Sequence, residues 1–173
     1  MILEEADERR WRWHHFLLGA LVLAMAVMWV YAIFFAPKEN RNRLDDRAWA
    51  DRNEAICKAS LDQILRLTPA AKSKTPQDRA IVLDTANALV DRLVTDLKAN
   101  VPTGTDKELN YVRLWLDDYT NYARARHDYA DVLRTGKDAQ FAVKMSDGGP
   151  IDNRIDAFAV ANSMPSCKVP GDV

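Results

Sequence analysis

Residues 16–36 read FLLGALVLAMAVMWVYAIFFA, 21 residues without one charged side chain. As an α-helix this stretch rises about 31 Å, the thickness of a bilayer's hydrocarbon core at about 30 Å. Core helices of water-soluble domains seldom sustain so long an apolar run, and a cleaved signal peptide needs a shorter one, roughly 7 to 15 residues, closed by a small-x-small site. The A-x-A within the run, Ala24-Met25-Ala26, falls at mid-membrane. The reading is therefore an uncleaved, single-pass transmembrane anchor over 16–36. Trp11 and Trp13 on one side, with Trp29, Tyr31, Phe34 and Phe35 toward the other, fit interfacial aromatic belts, and Pro37 interrupts the helix.

The flanks bear on orientation. Arg9, Arg10 and Arg12 precede the span, while Lys38, Arg41, Arg43, Arg47 and Arg52 follow it. Counted alone, these charges favour a cytoplasmic C-terminal side. A long domain, however, translocates largely regardless of charge, and both cysteines, Cys57 and Cys167, lie in it, as expected of a domain stapled in an oxidising compartment. The expected layout is a short cytoplasmic tail at 1–15, the anchor, a juxtamembrane linker at 37–43, and an extracytoplasmic domain at 44–173. Fifteen residues before the span are too few for an output domain, so signalling by this chain alone is not expected.

Beyond residue 37 the chain carries 21 basic and 21 acidic side chains, a balance that gives no reason to propose a nucleic-acid partner. Arg exceeds Lys, Asp exceeds Glu and Ala is abundant, a bias that fits a GC-rich bacterial genome.

Periodicity divides the domain into helices. A first helix is predicted over 44–67, with Cys57, Leu61, Ile64 and Leu65 at three- and four-residue spacing, flanked by Trp49, Ile56 and Ser60 and ended by Pro69. Thr75-Pro76-Gln77-Asp78 supplies an N-cap, a proline at the first helical position and an early acid. From there Val82, Ala86, Leu89, Val90, Leu93 and Leu97 form an apolar stripe. After the turn 101–104, Thr105 and Glu108 make a capping box. The helix they open runs to about Leu133, with Val112, Trp115, Leu116, Tyr119, Tyr122, Ala123, Tyr129, Ala130 and Leu133 on one face and Gly136 as C-cap. Phe141, Val143 and Met145 alternate, but in isolation, and 137–149 reads as a packed loop. Pro150 opens a shorter fourth helix bearing Ile151, Ile155, Phe158, Ala159 and Asn162, with Pro165 beyond it.

Short loops make consecutive helices antiparallel neighbours, so the fold class is all-α: an N-terminal transmembrane helix followed by an antiparallel up-down bundle of three long helices and a shorter fourth. In that topology Cys57 lies about 15 Å below the far end of its helix, and the fourth helix descends about 20 Å before releasing Cys167. The sulfurs reach similar depth, and a Cys57–Cys167 disulfide is predicted.

The sequence offers little chemistry. His14 and His15 sit at the membrane edge, leaving His127 alone in the domain, too poor a set for cysteine or metal catalysis. No paired Glu-x-x-His helices, phosphate loop or dinucleotide fingerprint occurs, so no catalytic residue, metal or cofactor is expected. Arg126 is the anomaly, because helical rotation puts it inside the apolar stripe near Tyr119, Tyr122 and Tyr129. A guanidinium there needs a counter-charge, with Asp156 or Asp62 at suitable depth. A sharper reading makes it the anion-gripping centre of a ligand pocket between tyrosine rings. Asp117, Asp118, Arg124, Asp128 and Asp131 read as a solvated face, interrupted by Leu114 and Val132.

The expected function is non-enzymatic: a membrane-anchored interaction protein, an accessory or adaptor subunit of a bacterial cell-envelope complex, with the lipid bilayer and an envelope protein as partners and a homo-oligomer left open. The alternative is an extracytoplasmic small-ligand module with an anion site at Arg126.

Overall fold

Side-chain caps mark where three of the helices begin. The computed structural model describes residues 2–35, 42–146 and 149–173, divided into two units, Met1–Glu39 and Asn40–Val173. The first holds α1 (Ile2–Phe34). This helix starts well before the apolar run because residues 2–15, ILEEADERRWRWHH, contain good helix formers and neither Gly nor Pro. Within it, His15–Phe34 is long and apolar enough to cross a membrane. Tyr31 stacks on Phe35 with ring centroids 6.1 Å apart, and Trp13 on Phe16 at 6.3 Å. The expected break at Pro37, the linker as far as Arg41, the side chains of Arg9, Arg10, Trp11 and Arg12, and the turn at Asp147 and Gly148 lie outside the described residues.

The second unit is built from α2 (Arg47–Ile64), α3 (Pro76–Ala99), α4 (Asp106–Arg134) and α5 (Ile151–Ala161), with 3-10 turns at Ala70–Lys72 and Pro165–Cys167. The helix predicted over 44–67 is shorter at both ends. The Asp46 carboxylate accepts the Trp49 amide at 2.8 Å, making Asp46 the N-cap and leaving Leu44 and Asp45 outside. Thr75 caps α3 with Pro76 in its first turn, and Thr105 and Glu108 form the full capping box of α4. Beyond α4, Gly136 takes φ 85° and its N–H bonds the Leu133 carbonyl. A Cβ there would meet Gln77 Nε2 at 2.9 Å, so both the backbone and the space call for glycine. α5 stops four residues short of Pro165, because Ser163 turns into the left-handed region at φ 61°.

Met145–Ser146 (β1) pairs antiparallel with Gly149–Pro150 (β2), a two-residue ladder where a packed loop was expected. Gly149 at φ 122° supplies backbone that other residues rarely adopt. Phe141 and Val143 pack on the core from the irregular stretch before it.

Trp115 of α4 centres that core. Phe158 stacks on it at 5.0 Å, while Trp49 and Tyr119 meet it edge-on at 6.1 and 5.7 Å. The buried faces keep most of the predicted stripes, Ala86, Val90, Leu93 and Leu97 on α3 and Val112, Trp115, Tyr119, Tyr122, Ala123, Ala130 and Leu133 on α4, and depart from them at the margins. α2 buries Trp49, Asn53, Cys57, Ser60 and Ile64 and leaves Leu65 71% exposed, while α3 buries Leu83 and Val94, with Val82 at its margin. Contacts run in opposite order along neighbouring helices: Asp84 and Asn87 of α3 meet Arg134 and Arg126 of α4, and Trp115 and Asp118 of α4 meet Phe158 and Arg154 of α5. Trp49 Nε1 donates to the Asn100 carbonyl at 2.9 Å.

Cys57 and Cys167, both fully buried, form a disulfide with Cα atoms 5.0 Å apart across a sequence separation of 110. Closing so long a loop contributes about 4 to 5 kcal/mol in the chain-entropy model. Where the chain enters the unit, buried Asn162 holds it. Its Oδ1 accepts the Leu44 amide at 2.9 Å, its Nδ2 donates to the Asn42 carbonyl at 3.2 Å, and Arg47 donates to its backbone carbonyl at 2.7 Å.

Candidate functional site

Three side chains on successive turns of α4, Tyr119, Tyr122 and Arg126, face the segment that follows α5. That segment, residues 163–173, has one 3-10 turn and is otherwise an irregular strap. The disulfide fixes it at Cys167, and the Ser166 amide bonds the Glu54 carboxylate at 2.9 Å. It then runs in the direction of α4. The Tyr119 hydroxyl donates to the carbonyls of Cys167 and Lys168 at 3.3 and 3.1 Å, and the Tyr122 hydroxyl to that of Pro170 at 3.2 Å. One turn further on, Arg126 grips Asp172 through both terminal nitrogens, each 2.7 Å from a carboxylate oxygen.

Arg126 is wholly buried, and the rest of its guanidinium is also used. Nε donates to Asn87 Oδ1 of α3 at 2.8 Å, one terminal nitrogen also meets the Tyr122 hydroxyl at 3.3 Å, and the guanidinium carbon lies 5.7 Å from the centre of the Tyr122 ring. Burial works to lower the Arg126 pKa, but the hydrogen bonds and charge of Asp172 overcome it and the net shift is upward, so the group stays charged. Burial pushes the hydroxyls of Tyr119 and Tyr122 up as well, which keeps both protonated as donors. Asn87 Nδ2 is buried and has no hydrogen-bond partner among the described residues.

The strap does not fill its channel. On one side a cleft of about 250 Å³ runs among Leu61, Ile64, Leu65, Val82, Ala86 and Asp172. On the other, a cleft of about 360 Å³ is lined by Ala71, Arg79, Leu83, Tyr129, Asp172 and Val173.

Of the residues singled out in the sequence, Arg126 and Tyr122 meet directly, and Tyr119 holds the same strap one turn earlier. The two expected counter-ions are corrected. Asp156 accepts the Val169 amide at 2.9 Å, and Asp62 pairs with Lys58 on its own helix at 3.3 Å, so neither serves Arg126. Tyr129 packs on Phe141 with ring centroids 5.5 Å apart. The counter-ion is Asp172 because the disulfide turns the strap back along α4 and delivers the acid there. Sequence reading missed Asp172 and Asn87, although each left a signal: Asp172 is the one acid among residues 168–173, and Asn87 interrupts an apolar run.

Asp118 is also corrected. Instead of joining a solvated face it is buried, paired with Arg154 at 2.9 Å, and burial raises its pKa against the opposing pull of Arg154. His127 Nε2 lies 2.9 Å from Asp91 on open surface, away from both clefts beside the strap. Among the described residues no three His, Cys, Asp or Glu side chains converge as metal ligands. Comparison with protein-family models, curated proteins and solved structures gives no match to this chain.

Proposed function

We propose that this is a single-pass protein of a bacterial cell envelope, whose helical domain acts by binding as an accessory or adaptor subunit of a membrane complex rather than by catalysis. In this reading His15–Phe34 spans the inner membrane with the N-terminus in the cytoplasm. The remainder stands outside as an antiparallel up-down bundle, a reading supported by the opposite order in which contacts run along neighbouring helices. Its partners are the bilayer and an envelope protein, and self-association is an open alternative to the latter.

The carrying observation is a helix long and apolar enough to span a membrane, followed by a unit whose two cysteines are paired in its core. Such a disulfide suits an oxidising compartment, while so apolar a helix needs lipid or protein around it. Thiol labelling of intact cells with a membrane-impermeant reagent tests the sidedness. Labelling of Cys57 and Cys167 only after reductant is the expected result. Labelling only after lysis, without reductant, would place the domain in the cytoplasm.

A second reading, a small-anion site at Arg126, is favoured by one observation, the bidentate grip of a carboxylate in a buried setting. That carboxylate belongs to the chain itself, which points from a free ligand toward a peptide.

A further inference from the structure

The bonds that hold residues 168–172 ask almost nothing of the strap's own side chains. Tyr119 and Tyr122 bind backbone carbonyls, and Asp156 binds the backbone amide of Val169. Asp172 alone is gripped by its side chain, by two charge-assisted bonds with matched fork geometry. Backbone bonds for affinity and one side chain for selectivity is how grooves recognise extended peptides.

Two further facts favour exchange over a purely structural strap. The clefts of about 250 and 360 Å³ leave apolar walls, Leu61, Leu65 and Val82 on one side and Tyr129 on the other, that the strap does not cover completely. A buried ion pair is, besides, a poor means of stabilising a core, since apolar residues of like volume generally do as well. Covalent attachment at Cys167 holds the start of the strap to α2, so that displacement of the residues after it need not open the bundle.

We propose that this groove on α4, with Arg126, Asn87 and Tyr122 at its end, is a docking site for an extended acidic segment of a protein partner, and that residues 168–173 are a tethered stand-in which that segment displaces. The partner's segment places a carboxylate on Arg126, and its preceding residues reach the apolar walls. This deepens the reading of the domain as a binding module and rests on it, but not on the side of the membrane it occupies. Cysteine labelling and the titration below therefore fail separately.

The probe is a fluorescent peptide KVPGDV, which copies residues 168–173, titrated by anisotropy into the full-length, oxidised protein in detergent. Asp172→Ala removes the tethered carboxylate, so this variant is expected to bind the peptide at least tenfold more tightly than the unsubstituted chain, where the strap competes at high effective concentration. Placing Asn at the peptide's acidic position should weaken binding at least tenfold, and Arg126→Met added to Asp172→Ala should abolish it. Equal binding of both peptides, or none by a folded variant, overturns the proposal. Should Asp172→Ala not fold, hydrogen exchange on the unsubstituted protein decides. Millimolar peptide is expected to speed exchange of the Val169 amide, and unchanged exchange overturns the proposal.

Discussion

Arg154 of α5 reaches across to Asp118 of α4, nitrogen to oxygen 2.9 Å, and the two side chains are unequally placed: the carboxylate is 11% exposed and the guanidinium 30%. Arg154 also donates to the Ser146 hydroxyl at 2.5 Å, tying the β-ladder to the same pair. A pair so arranged contributes little net stability, but losing one member does not cost the same as losing the other.

Arg154→Met leaves Asp118 charged and largely dry, an expected loss of about 3 kcal/mol at neutral pH. The sign of the pH dependence follows from burial, which holds the Asp118 pKa above its ordinary 3.8 even with Arg154 present. A folded state that holds the proton more tightly gains relative stability as pH falls, and loses it as pH rises through the folded pKa. The Arg154→Met defect should therefore shrink between neutral pH and about pH 4. Adding Asp118→Asn should remove most of it at every pH. Melting temperatures of the three proteins at several pH values check this, and a defect that stays constant with pH would sink it.

Arg126 and Asp172 give the same asymmetry with the roles of acid and base reversed. The guanidinium is wholly buried and the carboxylate 19% exposed, so Asp172→Asn strands a buried charge whereas Arg126→Met frees a carboxylate that water can reach. Expected losses are about 3 to 5 kcal/mol for Asp172→Asn and about 1 to 2 kcal/mol for Arg126→Met. The double variant should be more stable than Asp172→Asn alone. Urea unfolding followed by tryptophan fluorescence ranks the three, and equal single losses would mean that Asp172 is not the counter-ion.

What could be read from the sequence was local or forced by small numbers. The caps at Thr75 and Thr105 depend on residues three apart, and two cysteines allow one pairing, which helix lengths then made geometrically sound. Asp118 was misread by equating polar with exposed, although it lies three residues after Trp115 and four before Tyr122, on the buried face. The start of α2 was misplaced because Leu44 is buried like a helical residue while standing outside the helix. Asp172 stands out in the sequence only as the one acid among residues 168–173, and its pairing with Arg126 was not legible, because that depends on the path of an irregular strap after Cys167, which no periodicity encodes.

Acid should loosen the end of the unit where α2 and α4 begin. Asp46 accepts the Trp49 amide and, across the turn, the amide and hydroxyl of Thr103 at 2.9 Å, while Glu108 accepts the amides of Thr105 and Asp45 at 2.8 and 2.9 Å. The backbone N–H of Thr103 is the main cause holding Asp46 below its ordinary 3.8, and that of Thr105 the main cause holding Glu108 below 4.5. For carboxylates with depressed folded pKa values, the stabilisation is fully present above the ordinary values and is lost as pH falls through the folded ones. Asp46→Asn with Glu108→Gln keeps the size of both groups and the capping oxygens but removes the charge. Its melting temperature should lie below that of the parent at pH 7, and the two curves should converge as pH drops below about 4. Parallel curves across that range would mean that these carboxylates act as caps by shape alone, with no contribution from their charge.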